Sequence, residues 1–199
     1  MSGAPERQIY LVRHGETEWS RSGQHTGRTD LPLTDVGRRQ AEAIGVRLRD
    51  HDFALVLTSP MSRAAATARI AGFASAERTK DLMEWDYGAF EGRTTAEIRE
   101  SLPGWTIWNG PWDGGETPHQ VADRVDRVIA RCLRPEVNGD SLLFAHGHVL
   151  RVLAARWLGE SPVAGARYAL GTATLSVLGW EHVTHVLELW NDACHMTAV

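Results

Sequence analysis

Apolar residues along the chain alternate between two periods. Short continuous runs read as buried strands: Gln8 to Val12, Ala54 to Thr58 and Ser141 to Ala145. Thr172 to Gly179 and Val183 to Trp190 read as a closing pair of strands, with a turn at Trp180 to His182. Between these runs the apolar positions recur at helical spacing. Thr34 is the expected N-cap of a helix whose Ala41, Ile44 and Leu48 share one face, and Ser59-Pro60 turns the chain into an Ala-rich helical stretch from Arg63 to Ala71. A third helix is predicted from Thr117 (N-cap) and Pro118 (first turn) to Arg134, with Val121, Val125, Val128, Ile129 and Cys132 on one side. A fourth runs from His148 to Leu158 and stops at Gly159. This alternation predicts an α/β fold, a three-layer α/β/α sandwich with a mostly parallel central sheet, an antiparallel edge and helices on both faces. Leu102 to Gly115, rich in Gly, Pro and Trp, is the one long irregular stretch, and such loops often cover a site. It is expected to form a Trp-rich lid at about 102–118 within a single domain spanning residues 1–199.

At 199 residues the chain is long enough for one self-sufficient core, so neither a disulfide nor a structural metal is required. A hydrophobic fraction of 43% with 23% charged residues excludes a disordered or fibrous chain. The formal charge of −4 and the lack of any long Lys/Arg cluster argue against nucleic acid or an anionic membrane as partner. Cys132 and Cys194 match no CxxC or zinc spacing and read as reduced thiols. The opening MSGAPERQIYLV has too short an apolar run for a signal-peptide core, and no stretch reaches membrane-span length, so a cytoplasmic location is expected.

Candidate chemistry lies where three strands end. The apolar runs lead directly into Arg13-His14-Gly15-Glu16-Thr17, Ser59-Pro60-Met61-Ser62-Arg63 and His146-Gly147-His148. In open α/β sheets the carboxyl ends of the strands form the ligand crevice, so Arg13, His14, Arg63 and His146 are expected to converge. Two Arg and two His suit a doubly charged tetrahedral phosphate better than a carboxylate. A neutral imidazole there can attack phosphorus, and the remaining cationic groups can stabilise the equatorial oxygens without a carboxylate cluster for a metal. No metal and no cofactor are expected. The leaving alkoxide needs a proton, and Glu84, in Leu82-Met83-Glu84-Trp85, is the candidate acid. Singly, each residue has a bland alternative: a buried structural histidine, a helix-start arginine, a solvated carboxylate. The argument rests on their joint placement.

That set of motifs resembles the histidine phosphatase superfamily, in its phosphoglycerate-mutase-like branch. The similarity runs through Arg13-His14-Gly15-Glu16-Thr17-Glu18-Trp19, Thr26-Gly27, Leu33-Thr34-x-x-Gly37, Thr58-Ser59-Pro60 with Arg63 and Thr67-Ala68, Glu84-x-x-Tyr87-Gly88 with Glu91-Gly92, Gly114-Gly115-Glu116-Thr117 and His146-Gly147, in family order. The resemblance implies the same sandwich fold, with His14 as phosphorylated nucleophile, Glu84 as proton donor, and Arg13, Arg63 and His146 around the phosphate. It further implies Thr26, Gly27 and Gly147 as phosphate contacts, with Ser20 standing where the family often has Asn. A homodimer is compatible with the family, and no interface is legible in the chain.

Three activities share such a core: a metal-independent phosphatase of small phosphomonoesters, sugar phosphates or bisphosphates; a cofactor-dependent phosphoglycerate-type mutase; and a non-catalytic phosphate- or phosphoprotein-binding domain. Between Thr94 and His119 the only basic residue is Arg99, against Glu97, Glu100, Asp113 and Glu116, a poor surface for a second phosphate. Trp108 is followed by Asn109-Gly110, where the mutases place two Arg. Hydrolysis is therefore the expected reaction. Trp105, Trp108 and Trp112 either pack on the core or contact the leaving group. Arg21 and Arg28 flank the phosphate loop and could receive a second anionic group. His148 is expected to cap the following helix, Arg151 is undecided, and Glu181, His182 and His185 receive no function.

Overall fold

The computed structural model describes residues 7–196. The first six and last three residues, and with them part of the expected 1–199 domain and of the N-terminal leader reading, lie outside the described residues. Six strands form one sheet in the order β3-β2-β4-β1-β5-β6. They are β1 (Ile9–Arg13), β2 (Leu55–Thr58), β3 (Glu77–Arg78), β4 (Ser141–Ala145), β5 (Leu175–Glu181) and β6 (Thr184–Asp192). Strands β1, β4, β2 and β3 are mutually parallel, whereas β5 runs antiparallel to both β1 and β6.

The helices are α1 (Glu18–Ser22), α2 (Asp35–Leu48), α3 (Ser62–Ile70), α4 (Thr95–Ser101), α5 (Pro118–Cys132) and α6 (Gly147–Trp157). Successive side chains of a strand point to opposite faces, and here the two faces carry two cores. Leu11, Leu57, Leu143 and Leu178 join the cluster containing Val121, Val125 and Val128 of α5 and Val149, Val152 and Leu153 of α6. Val12, Leu142, Phe144 and Leu175 join Ile44 and Leu48 of α2 and Ala68 of α3. The result is the expected three-layer sandwich. Every residue of β4 is buried, which explains its unbroken apolar run.

Thr34 accepts the Gly37 N–H, and Thr117 accepts that of Gln120, so both predicted N-caps form. Among the α-helices and strands of the described residues, three were not anticipated. Helix α1 buries no residue and α4 buries only Ile98, so neither has an apolar stripe; both start on a capping box, from Thr17 and Thr94. Strand β3 is two exposed residues defined by pairing with β2. Several boundaries also differ, among them the start of β5, at Leu175 rather than Thr172. Trp180 remains in β5, opposite His185, because its ring packs edge-on against Trp157 (centroids 5.2 Å apart), leaving His182 and Val183 to make the turn. Helix α5 ends at Cys132 rather than Arg134. No helix among the described residues is long and apolar enough to cross a membrane.

Candidate active site

Strands β1, β4 and β2 are parallel and in register, with Arg13 opposite Ala145 and Thr58 opposite Phe144, so their carboxyl ends emerge side by side. The next residues continue that pairing: His14 N–H donates to the Ala145 carbonyl and Ser59 N–H to that of Phe144, each at 2.9 Å. The loop after His14 is seated tightly. Gly15 N–H donates to Thr67 Oγ1 of α3 (3.0 Å), and a Cβ on Gly15 would lie 2.3 Å from the Gly37 oxygen in α2, which leaves no room for a side chain.

The His14 imidazole is 4% exposed, and its Nδ1 lies 2.7 Å from the Gly15 carbonyl oxygen. A carbonyl can only accept, so Nδ1 carries the hydrogen and Nε2 keeps its lone pair. Burial first, then the Arg63 and Arg13 charges, hold the pKa of His14 well below the usual histidine value. A buried, neutral imidazole with one free nitrogen is equipped as a nucleophile.

Arg13 completes this part of the site. Its Nη1 donates to the Leu170 carbonyl (2.5 Å), whereas its buried Nε has no partner. Such a donor costs about 1–3 kcal/mol when left unsatisfied, and an anionic oxygen would satisfy it. The guanidinium lies against Gly147, where a Cβ would come within 3.3 Å of Arg13 Cζ.

Arg63 and His146 are fully buried next to His14, with the two imidazole centroids 5.1 Å apart. Arg63 Nε donates to His146 Nδ1 (3.1 Å), Nη1 to the Thr29 carbonyl (2.9 Å) and Nη2 to the Thr26 and Gly27 carbonyls (both 3.0 Å). One N–H, on Nη1, is left over. Because Nδ1 of His146 accepts, its hydrogen sits on Nε2 and points to Ser59 Oγ at 2.8 Å. Burial, followed by Arg63, keeps this imidazole neutral as well.

Glu84 is 5% exposed. Its Oε1 accepts the N–H groups of Trp85 (2.8 Å) and Val149 (2.9 Å), and Oε2 accepts that of His148 (2.9 Å). Two of these donors belong to the first turn of α6, where amides have no partner within the helix. Oε2, with a single backbone donor, is the oxygen with room for a further bond.

A cavity of about 170 Å³ is lined by Arg13, His14, Glu84 and Gly147, together with Ser20 and Thr26 from the expected set. The Ser20 hydroxyl is engaged locally, accepting the Thr17 N–H (2.8 Å) and donating to the Thr17 carbonyl (3.0 Å). Arg63 and His146 are not among the lining residues, and neither is Gly27. The Gly27 N–H donates to both Glu91 carboxylate oxygens (2.9 and 3.0 Å), which ties down the loop that Arg63 holds from the other side. Arg21 pairs with Glu18, and Arg28 with Asp86 at 2.9 Å, so both flanking arginines already have carboxylate partners.

The cavity also contains residues that the sequence left unassigned: Trp19, His25, Tyr87, His148 and Arg151. His148 is not a helix cap. It lies inside α6, and its Nδ1 is 2.7 Å from the Tyr87 hydroxyl. Burial and the Glu84 charge raise the Tyr87 pKa well above its usual value, so the hydroxyl keeps its proton and donates it to His148. His25 stacks on Tyr87 (centroids 4.7 Å), and burial lowers its pKa to about 4. Tyr87 belonged to a legible motif, whereas His25 carried no sequence signal at all. Of the lid indoles, Trp105 is 2% exposed and bonds the Pro111 carbonyl, and Trp112 bonds that of Ile107. None of the three lid tryptophans lines the cavity. They pack on the core, and Trp108 supports His148 (centroids 5.4 Å).

The sequence profile of the histidine phosphatase superfamily, branch 1, matches residues 9–193. This chain belongs to that superfamily. Among histidine phosphatases similar to it, an acid phosphatase of Mycobacterium tuberculosis is 42% identical over 90% of each chain. A sedoheptulose 1,7-bisphosphatase of Saccharomyces cerevisiae is 38% identical over 75% of this chain and 66% of its own. The solved structure of an open reading frame product from Mycobacterium tuberculosis shares the fold with a TM-score of 0.89, at 41% identity over 93% of this chain and 97% of that one.

Proposed function

We propose that this histidine phosphatase hydrolyses small phosphomonoesters through a phosphohistidine formed on His14. The observation that carries the proposal is the neutral His14 imidazole, its Nδ1 hydrogen fixed on Gly15, beside the unpartnered Nε of Arg13 in a cavity sized for a small ligand. In the first step Nε2 attacks phosphorus, the P–N bond forms, and the ester P–O bond breaks. Arg13 and the remaining N–H of Arg63 stabilise the charge on the equatorial oxygens, and His146, whose two nitrogens are taken by Arg63 and Ser59, holds the Arg63 guanidinium in place. Glu84 Oε2 gives its proton to the departing alkoxide. In the second step Glu84 takes a proton from water, whose oxygen attacks phosphorus, and the P–N bond breaks to release inorganic phosphate and free His14.

Hydrolysis is favoured over phosphoryl exchange by the lid. The only basic residue between Thr94 and His119, Arg99 of α4, donates Nε–H to the Trp105 carbonyl (2.8 Å) and so braces the segment. The test is hydrolysis of p-nitrophenyl phosphate in EDTA by wild type and His14→Ala, with 2- and 3-phosphoglycerate exchange measured in parallel. Chelator-resistant turnover that disappears in the variant is expected. Exchange outpacing hydrolysis would establish a mutase, and no turnover of any ester would leave a binding domain.

A further inference from the structure

The cavity holds a cation that the chemistry above does not use. Arg151 lines it, and no carboxylate among the described residues pairs with its guanidinium. The group is nevertheless held in place. Nε donates to the Gly165 carbonyl (2.9 Å), Nη2 to that of Ala166 (3.1 Å), and Cζ sits 4.8 Å from the centre of the Trp108 ring. Nη1 is left without a partner among the described residues. A half-buried, anchored cation that hydrogen-bonds only to carbonyls, and that feels the Glu84 carboxylate without pairing with it, keeps a free N–H and its charge available to a ligand.

The position of Arg151 relative to the phosphoryl site follows from α6. Gly147, against which the Arg13 guanidinium lies, and Arg151 are four residues apart and so share one face of the helix, separated by a rise of about 6 Å. That is the scale of a small metabolite. The other charged candidates for a second anion, Arg21 and Arg28, are neutralised by Glu18 and Asp86. The nearby imidazoles of His25 and His148 are held neutral by burial, so Arg151 is the cation on that side of the cavity.

We infer that Arg151 binds a second anionic group, carboxylate or phosphate, on the leaving-group side of the substrate. The substrate class is then a small phosphomonoester that carries another negative charge. This inference rests on the phosphatase reading and deepens it. It also gives the lid a role, since Trp108 supports the guanidinium from below.

The test compares wild type with Arg151→Met, which keeps an unbranched stem over Trp108 and removes the charge, and with Arg151→Lys. Four substrates are used: p-nitrophenyl phosphate and glycerol 3-phosphate without a second anion, 3-phosphoglycerate with a carboxylate, and fructose 1,6-bisphosphate with a second phosphate. Arg151→Met is expected to lower kcat/KM at least about tenfold, through KM, for one or both of the last two, with p-nitrophenyl phosphate and glycerol 3-phosphate changed less than about twofold and Arg151→Lys recovering part of the loss. Which of the two substrates responds identifies the anion. Equal losses on all four, or no loss on any, would overturn the inference. Calorimetric binding of the same compounds to His14→Ala, with and without Arg151→Met, reads the subsite without turnover, so a failure of the hydrolysis reading remains distinguishable from a failure of this one.

Discussion

Replacing Glu116 with Gln removes a brace behind Glu84 without altering the cavity lining. Arg124 of α5 and Glu116 form a two-bond pair, Nε to Oε1 at 2.9 Å and Nη2 to Oε2 at 3.1 Å, with side-chain exposures of only 8% and 18%. The same guanidinium donates Nη1 hydrogens to the carbonyls of Asp81 (2.9 Å) and Met83 (2.5 Å), while Glu116 accepts the Asp86 N–H (2.9 Å). The segment carrying Glu84 is thus tied on both sides. An amide in place of the carboxylate offers one oxygen and two hydrogens to a guanidinium that can only donate. Breaking one side of a largely buried pair costs about 3 kcal/mol, which for a domain of this size lowers Tm by roughly 6–12 °C. A loosened Glu84 also protonates the leaving group less well, and a displacement of about 1 Å costs up to ~100-fold in rate. The loss falls more heavily on an alkyl ester such as glycerol 3-phosphate, whose alkoxide needs the proton, than on p-nitrophenyl phosphate. Thermal unfolding and kcat for both esters are the measurements. A Tm within about 2 °C of wild type, or equal losses on the two esters, would refute the reasoning.

His14→Ala should abolish turnover and the acid-labile phosphoryl adduct while leaving the fold intact, checked by rapid-quench labelling and circular dichroism. Gly147→Ala places a Cβ 3.3 Å from Arg13 Cζ and pushes the guanidinium away from the Leu170 carbonyl; kcat/KM for p-nitrophenyl phosphate should fall about tenfold with little change in Tm. Stability should decline as pH falls below about 6.5, because His14, His25, His146 and His148 all have folded pKa values below the unfolded one and only the unfolded chain gains protons there. The loss is measurable by urea titration at pH 7.5 and pH 5.5. Activity per folded molecule, in contrast, should show no acid limb near pH 6.5 attributable to His14, since its lowered pKa keeps Nε2 unprotonated there.

What the sequence by itself determined is the part governed by short-range pattern. The apolar runs ending in Arg13-His14, Ser59-Pro60 and His146 located β1, β2 and β4 and placed their carboxyl ends together, since buried parallel strands must be continuously apolar. Thr34 and Thr117 announced their helices because an N-cap acts on amides two or three residues away. The capping boxes at Thr17 and Thr94 were equally readable, yet α1 and α4 lack the apolar stripe that would have drawn attention to them.

Only the tertiary structure decided how the polar side chains are employed. Nothing local to Ser20 shows its hydroxyl turned back on Thr17, and nothing local to Gly27 shows its N–H bound to Glu91, 64 residues away. Arg63 finds its acceptors on residues 26–29 and on His146, and Arg151 comes to rest over an indole from the lid. Hydrophobic periodicity is written residue by residue because burial of a strand or helix face needs only its own spacing. The partner of a hydrogen-bonding group is set by which distant segments the packed core brings within about 3 Å, and that distance exists only once the chain has folded.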